Sequence, residues 1–334
     1  METLLKQSVG IDISKDTFMA SICCIYQSGK MDFITTEPFK NVKAGFNQFV
    51  KWIRKNSSKE VQITFLMEAT GVYYEQLAYH LHKLSFHISV LLPNKVKNYA
   101  KCLNIKTKTD KVDAKVISRM GAEQNLSRWT PPTPVYQQMR LLTRYYQELK
   151  KQKTALQNRV EALNHSVFTD DFVAQSYLEQ LSLLDKQIEL CEKKLKTLVK
   201  EDEELASKFE NVETIKGVGF ITIAIVVAET QGFSLITNRK QLASYAGLDV
   251  IERQSGTSVR GKSKISKKGN SHIRAALYFP AMVSSVRNIS LRNDYQRIIK
   301  HKPNKKIGLV AVQRKLLLLI FTLWKNNEKY QERE

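Results

Sequence analysis

The first 126 residues alternate between segments with the two-residue periodicity of strands and segments with the 3.6-residue periodicity of helices. Strands are predicted at residues 8–13, 17–26, 31–36, 61–67 and 87–92. Helices are predicted around Phe46–Ile53, over Tyr73–Leu84 and over Lys111–Glu123. Gly29 separates the second and third strands, as a hairpin requires. Three strands followed by alternating helices and strands predict a mixed α/β sheet covered by helices.

A cluster of prolines at residues 131–134 interrupts this pattern and predicts a domain boundary. A helical stretch without proline or glycine then continues to about Lys208, with a break near residues 170–171. Its apolar residues form two seams with heptad-like spacing: Leu142, Tyr146, Leu149, Leu156, Val160, Leu163 and Val167, then Leu181, Leu184, Ile188, Cys191, Leu195 and Leu198. Lys153 interrupts the first seam. The seams predict either an antiparallel hairpin or an intermolecular coiled coil, and a purely structural spacer satisfies the same pattern.

The chain from about Asn211 onwards is predicted to be helical, with a basic loop rich in glycine and serine between Asp249 and Asn270. Polar residues 313–315 interrupt the apolar run Ile307–Trp324, which predicts a buried amphipathic helix and no membrane span. We therefore expect an α/β plus all-α fold with three domains, at residues 1–128, 129–210 and 211–334. A cytoplasmic, nucleoid-associated protein with four reduced cysteines fits this composition.

The excess of basic over acidic residues narrows the range of functions that the chain could have. Lys and Arg number 53 against 32 Asp and Glu, a formal net charge of +21. A soluble chain with this balance is typical of proteins that bind a polyanion, and nucleic acid is the first candidate.

Four carboxylates occupy positions typical of a catalytic site. Asp12 lies within the apolar strand Val9–Ile13, where a carboxylate is costly to bury unless it is paired or bound to a cation. Glu68 ends another predicted strand, and Asp110 and Asp113 share one face of a helix. Four such oxygen donors suit Mg²⁺ and phosphoryl transfer. A helix start satisfied by Asp110 and Asp113 explains that pair equally well without metal.

Lysines crowd the approach to Asp110. Seven of the positions from 94 to 115 are Lys and only two are acidic. Lysines beside a metal site would hold a phosphate backbone close to it, and we assign Lys106, Lys108 and Lys111 to this role. A solvated helix face is the alternative interpretation.

The C-terminal third contains two further candidate nucleic-acid contacts. Gly217-Val218-Gly219, preceded by Lys216, resembles a helix-hairpin-helix turn, although an ordinary helix–helix turn has the same pattern. The segment Arg253–Arg274, which includes most of this loop, holds seven Lys or Arg and no acid: Arg253, Arg260, Lys262, Lys264, Lys267, Lys268 and Arg274. Ser255 beside Gly256 supplies a small nucleophile where the backbone can approach a ligand closely. Judged on these residues alone, a loop that grips phosphate without chemistry is the simpler interpretation.

Taken together, these segments resemble DEDD-type transposases of the insertion-sequence 110 family, which includes Piv-like DNA invertases. The motifs that carry the resemblance span nearly the whole chain: Val9–Asp12, Met67–Gly71, Lys108–Ala114, Ile215–Gly219, Tyr245–Leu248, and Ser255-Gly256 through Lys267–Asn270. Asp249-Val250 departs from the family pattern, in which many members have proline after Gly-Leu.

The resemblance implies a RuvC-like, ribonuclease H-like N-terminal domain, a coiled-coil linker and a small helical transposase domain. It implies Asp12, Glu68, Asp110 and Asp113 as Mg²⁺ ligands and Ser255 as a nucleophile that becomes linked to DNA. It also implies DNA at the element ends and target, a structured guide RNA, and a homodimer or homotetramer. A metal-dependent RuvC-type junction nuclease and a non-catalytic nucleic-acid-binding protein are the alternatives.

Overall fold

The computed structural model describes residues 2–69, 71–234, 236–252, 254–255, 259–261, 263–300, 302 and 304–332. It divides into two compact units, Met1–Pro131 and Pro132–Glu334. The boundary coincides with the proline cluster. The segment expected as a separate linker, residues 129–210, falls almost entirely in the second unit, and its status as a domain of its own stays a prediction.

The first unit is built on a five-stranded mixed sheet, as the sequence pattern predicts. The sheet order is β3-β2-β1-β4-β5. β1 pairs antiparallel with β2 and parallel with β4, and β4 pairs parallel with β5. The strands are β1 (Leu4–Ile13), β2 (Thr17–Tyr26), β3 (Met31–Lys40), β4 (Ile63–Glu68) and β5 (His87–Leu91).

Four helices accompany the sheet. They are α1 (Lys43–Asn56), α2 (Glu75–Lys83), α3 (Pro93–Cys102) and α4 (Asp110–Glu123). Three of them match predicted helices, whereas the sequence pattern gave no prediction for α3. Pro93 occupies the first turn of α3, where its missing N–H costs nothing.

Alternation along the strands separates the two faces of the sheet. Val9 and Ile11 of β1 join a core cluster that includes Phe49 of α1 and Leu77 of α2. The intervening residues of β1 face α4 instead. Leu66 of β4 likewise belongs to a second cluster with residues of α4. The polar ends of both strands therefore lie on the α4 side.

Helix α4 lies directly on β1, backbone against backbone. A Cβ added at Gly10 would overlap the backbone of Ala114 and Ser118, and one added at Gly121 would overlap the Ser8 hydroxyl. Only glycine permits this approach at either position.

The second unit begins with two long antiparallel helices, α5 (Pro134–Asn164) and α6 (Asp171–Lys200). They pack against each other within one chain, so the seams form a hairpin. Lys153, which interrupts the first seam, forms an ion pair with Asp185 across the hairpin. Val167 was predicted in the seam, but α5 ends before it and its side chain is 91% exposed in the turn.

The rest of the second unit is mainly helical. Its helices are α7 (Glu203–Glu213), α8 (Phe220–Thr230), α9 (Arg239–Ala246), α10 (Ser271–Ala276), α11 (Tyr278–Arg287), α12 (Ile289–Ile299) and α13 (Lys306–Asn326). α13 is long and apolar enough to cross a membrane by length and composition, but half of its most apolar window is buried. Val312, Leu316 and Ile320 lie in the core, which confirms the predicted buried helix.

The basic loop between α9 and α10 is not wholly irregular. It contains the short strands β6 (Val250–Ile251), β7 (Gln254–Ser255), β8 (Val259–Arg260) and β9 (Lys264–Ile265). β6 pairs antiparallel with β9, and β7 with β8. The loop is thus a narrow ribbon of two chain segments.

We expect Gly10→Ala to destabilise the protein by about 3 kcal/mol, because the new methyl group must push α4 away from β1. Urea denaturation followed by circular dichroism measures the loss. Gly219→Ala is the control, because nothing lies within 4 Å of its added Cβ; it should cost less than about 1 kcal/mol. Equal stabilities of the two variants would contradict the close contact.

Candidate catalytic site and basic loop

Two parallel strands bring Asp12 and Glu68 to the same edge of the sheet. Gly10 pairs with Leu66, and each carboxylate lies two residues further along its strand. Because side chains alternate, both carboxylates lie on the face that α4 covers. Glu68 and Asp12 are both half-buried.

The start of α4 contributes the other two carboxylates. Thr109 is the N-cap, and its hydroxyl accepts a hydrogen bond from the Val112 amide at 3.3 Å. Asp110 and Asp113 both lie in the first turn, where the helix dipole favours negative charge. They therefore start the helix, as the alternative interpretation holds, and they also line the cavity described next.

All four predicted carboxylates line one cavity of about 760 Å³ in the first unit. Its other charged residues are lysines, and they come from α3 and the segment before α4: Lys97, Lys101, Lys106 and Lys108. Lys106 and Lys108 were predicted here, whereas the predicted contact Lys111 is exposed and does not line the cavity. Lys97 and Lys101 are among the seven lysines of residues 94–115 but were not assigned as contacts, although their four-residue spacing after Pro93 could have indicated one helix face.

Burial and neighbouring carboxylates raise the proton affinity of two of these groups, Asp12 and Asp113. Burial and the charges of Asp113, Asp110 and Glu68 raise the pKa of Asp12 to about 6, against the opposing effect of Lys108. Burial and the neighbouring Asp110 also raise the pKa of Asp113. A divalent cation relieves this kind of repulsion.

The donor set fits a hard cation chemically. It consists of carboxylate oxygens, the ligands that Mg²⁺ prefers. Among the described residues, however, no three His, Cys, Asp or Glu side chains are grouped closely enough to hold one ion as they stand. A bound ion would have to draw the carboxylates together or share them with water.

The second candidate site is the basic ribbon of the second unit, which we call the serine loop (residues 247–269). Lys264, Lys267 and Lys268 are exposed on it. Arg253 and Lys262 lie outside the described residues. For Ser255 and Arg260 the structure describes the backbone alone, so their side-chain roles stay predictions.

Two predicted nucleic-acid contacts have partners within the protein. Arg274 donates from Nη1 to the carbonyl oxygens of Ala246 (2.7 Å) and Gly269 (3.0 Å), at the base of the serine loop. Lys216 lies in the turn between α7 and α8, and its ammonium group contacts Glu332 at 2.6 Å. Both side chains thus have structural contacts that the sequence did not indicate.

Comparison with known proteins identifies the family to which the chain belongs. Residues 9–169 match the family model of the DEDD transposase of IS110 elements, described as a transposase. Residues 209–296 match the model described as the transposase of the IS116/IS110/IS902 family. The pilin gene-inverting protein of Moraxella bovis is 31% identical over 98% of each chain. This chain belongs to the IS110 family of transposases.

Two other similarities are weaker. The transposase for insertion sequence element IS1111A of Coxiella burnetii is 24% identical and covers 97% of this IS110 transposase and 91% of its own chain. Thermus thermophilus RuvC, solved with a Holliday junction substrate, is 10% identical and matches 34% of this chain and 90% of its own, with a TM-score of 0.24. A score this low does not establish a shared fold.

We expect Asp12→Asn to stabilise the metal-free protein at pH 8 but not near pH 4. The folded protein holds the Asp12 proton up to about pH 6, against an ordinary value of 3.8, so ionisation costs stability as pH rises between those values. Asparagine removes that cost. Melting temperatures in EDTA across this pH range measure the effect.

The exposed Asp16, outside the cavity, supplies the control Asp16→Asn, which should show no such pH dependence. Added Mg²⁺ should reverse the order at pH 8 by stabilising only the protein that keeps Asp12. Identical melting curves for wild type and Asp12→Asn at pH 8 would contradict the electrostatic description.

Proposed function

We propose that this IS110 transposase cuts and rejoins DNA at insertion-element ends and target through a divalent metal site and a serine nucleophile. The observation that carries the proposal is the cavity that the four carboxylates line together with four lysines, which we call the lysine wall: Asp12, Glu68, Asp110 and Asp113 with Lys97, Lys101, Lys106 and Lys108. Acidic groups that repel one another beside lysine ammonium groups suit a metal ion and a phosphodiester together.

The carboxylates would hold Mg²⁺, which supplies neutralisation of the charge that develops on the phosphate. Lys106 and Lys108 line the same cavity and would hold the DNA backbone close to the metal ion. Lys108 already acts electrostatically on Asp12 and Asp113, because its charge opposes the rise in the pKa of both. We further propose a RuvC-like architecture for the first unit, consistent with its sheet order.

Ser255 would supply the covalent step. Its Oγ forms a bond to phosphorus while the bond from phosphorus to a deoxyribose oxygen breaks. The serine proton leaves Oγ, and the departing sugar oxygen ends as a hydroxyl group. The phosphoserine link keeps the energy of the phosphodiester for rejoining. The basic residues of the serine loop would grip the flanking phosphates.

The partners follow from the same proposal. The enzyme would act on nucleoid DNA in the cytoplasm as a homodimer or homotetramer, in which the carboxylates of one subunit meet the serine of another. A structured RNA from the element would guide it to target and donor. The name of the Moraxella relative raises inversion of a DNA segment as a related outcome of the same cutting and rejoining.

Substitution of the serine separates this mechanism from a RuvC-type junction nuclease, which needs the carboxylates but no covalent intermediate. We expect a covalent protein–DNA adduct with the wild type and none with Ser255→Ala, because alanine has no nucleophile. Denaturing gel electrophoresis of labelled DNA measures the adduct. Ser263→Ala is the matched control within the same loop and should keep it.

Adduct that persists in Ser255→Ala would refute the serine mechanism. Asp12→Ala tests the remaining alternative, a non-catalytic binding protein, because it should abolish cleavage while DNA binding persists. Recombination at the wild-type rate in Asp12→Ala would refute the metal site.

The lysine wall gives a separate expectation for DNA binding. The double variant Lys97→Gln/Lys101→Gln should flatten the plot of log affinity against log salt by about 0.9 for each duplex phosphate that it no longer neutralises. Fluorescence anisotropy with duplex DNA measures the slope. Lys51→Gln/Lys55→Gln is the control, since it removes the same charge from exposed positions of α1, on the other face of the sheet. Equal slopes for the two double variants would contradict a role for the wall.

A further inference from the structure

A buried carboxylate lies beside the base of the serine loop. Glu229, near the end of α8, is only 3% exposed. Its Oε1 accepts a hydrogen bond from Arg144 Nε at 2.7 Å, and its Oε2 accepts one from Arg144 Nη2 at 3.0 Å. Oε2 also accepts a hydrogen bond from Asn270 Nδ2 at 2.6 Å. Three charge-assisted hydrogen bonds thus compensate for the burial of this group.

Helix α8 does not need this charge in order to pack. The helix is otherwise almost entirely apolar, and six consecutive residues before Glu229 are buried. An apolar side chain at such a position is often as stabilising as a buried ion pair. Burial alone would raise the pKa of Glu229, but the bonds from Arg144 and Asn270 hold that pKa below its ordinary value, so the group is ionised at neutral pH. We therefore assign the ionised Glu229 carboxylate a role in holding Arg144 and Asn270 in position.

The hydrogen bonds of Glu229 lie where the two ends of the serine loop meet. Asn270 directly follows the loop and is the N-cap of α10, where its Oδ1 accepts from the Ile273 amide. On the other side of the loop, the Tyr245 hydroxyl of α9 donates to the Glu229 carbonyl oxygen at 2.7 Å. Both flanks of the loop thus bind the same residue.

The two ends also bind each other tightly. The backbone amide of Asn270 donates to the Tyr245 carbonyl oxygen at 2.7 Å, and the backbone amide of Lys267 donates to the Gly247 carbonyl oxygen at 3.1 Å. A Cβ on Gly269 would overlap the backbone of Gly247 and Tyr245. The two ends of the loop are therefore joined into one closed base, which we call the foot of the loop.

Arg144 connects this foot to the long helix α5. A second contact runs in parallel, because Gln147, one turn further along α5, donates from Nε2 to the His272 carbonyl at 3.3 Å and contacts the His272 ring. The helical hairpin and the serine loop are thus joined through the hydrogen bonds of Glu229 and, beside them, through the contacts of Gln147 with His272.

We propose that Glu229 is a positioning residue for DNA cleavage: its carboxylate clamps the foot of the serine loop to α5 and so sets the direction in which the loop presents its nucleophile. The effect on cleavage rests on the proposed role of Ser255, whereas the clamp itself does not. A fixed foot lowers the entropic cost of bringing the nucleophile to the phosphate, which affects the chemical step rather than the affinity for DNA.

Glu229→Gln tests the clamp with little change in shape. The amide has one acceptor oxygen and places an NH₂ group against the donors of Arg144 and Asn270. We expect single-turnover cleavage at saturating DNA to fall at least tenfold, with the Kd for DNA within about twofold of wild type. Hydrogen–deuterium exchange of the amides at 247–270 should become faster.

Asp294→Asn is the matched control. Asp294 binds Lys315 and Arg297 in the same unit and has no hydrogen bond or ion pair to the serine loop among those of the described residues. Its substitution should leave both cleavage and loop exchange unchanged. Arg144→Gln breaks the same clamp at its more exposed end. This variant replaces Glu229→Gln if the latter folds poorly, and we expect the same loss of cleavage and the same faster loop exchange.

An exchange of roles provides the rescue. In Glu229→Gln/Asn270→Asp the donor and the acceptor change places, the net charge is that of wild type, and aspartate still caps α10. We expect the double variant to recover at least a third of the wild-type cleavage rate and the slow exchange of the loop.

The outcomes are separable. Unchanged loop exchange and cleavage in Glu229→Gln would overturn the clamp, as would a loss of cleavage that the double variant fails to restore. Adduct formation by Ser255→Ala would instead overturn the serine mechanism, while faster loop exchange in Glu229→Gln would still support the clamp.

Discussion

The contact between helix α4 and strand β1 is the constraint on which the candidate catalytic site depends. Without side-chain atoms at Gly10 and Gly121, the helix backbone rests on the strand itself. The helix then brings Asp110 and Asp113 over the edge of the sheet where Asp12 and Glu68 lie. The first unit in this way accepts four mutually repelling groups in one cavity. The cost appears in the raised pKa of Asp12.

Much of the first unit could be predicted because its strands are short runs rich in apolar and β-branched residues, separated by turn residues and helical segments. The alternation of side chains along a strand also places Asp12 and Glu68 on one face, which made the four-carboxylate grouping predictable from sequence spacing and family resemblance. Helix α3 could not be predicted in this way, because its residues between Pro93 and Cys102 are mostly lysine and other polar types, and few are buried. Its lysines were consequently missing from the predicted site.

The second unit shows where sequence periodicity has less information. The seams of α5 and α6 are visible in the sequence, but the choice of partner depends on the turn near residue 170 and on ion pairs such as Lys153 with Asp185. Contacts between residues far apart in sequence have no periodic signature. Arg144 and Glu229 are 85 residues apart, and Lys216 and Glu332 are 116 apart. Arg274 appeared to be free for phosphate, whereas the fold uses its Nη1 on two carbonyl oxygens at the loop base.

The two sides of the carboxylate cavity differ in how firmly the fold holds them. The acidic side stands on paired strands and on a helix in backbone contact with them. The basic side stands on α3, which packs through Val96 and is tethered to α4 by the hydroxyl of Tyr99 on Glu123. A helix held so lightly can shift with little loss of stability. In the proposed complex with DNA, α3 and its lysines would therefore adjust their position to the DNA backbone more readily than the strands and α4 that carry the carboxylates.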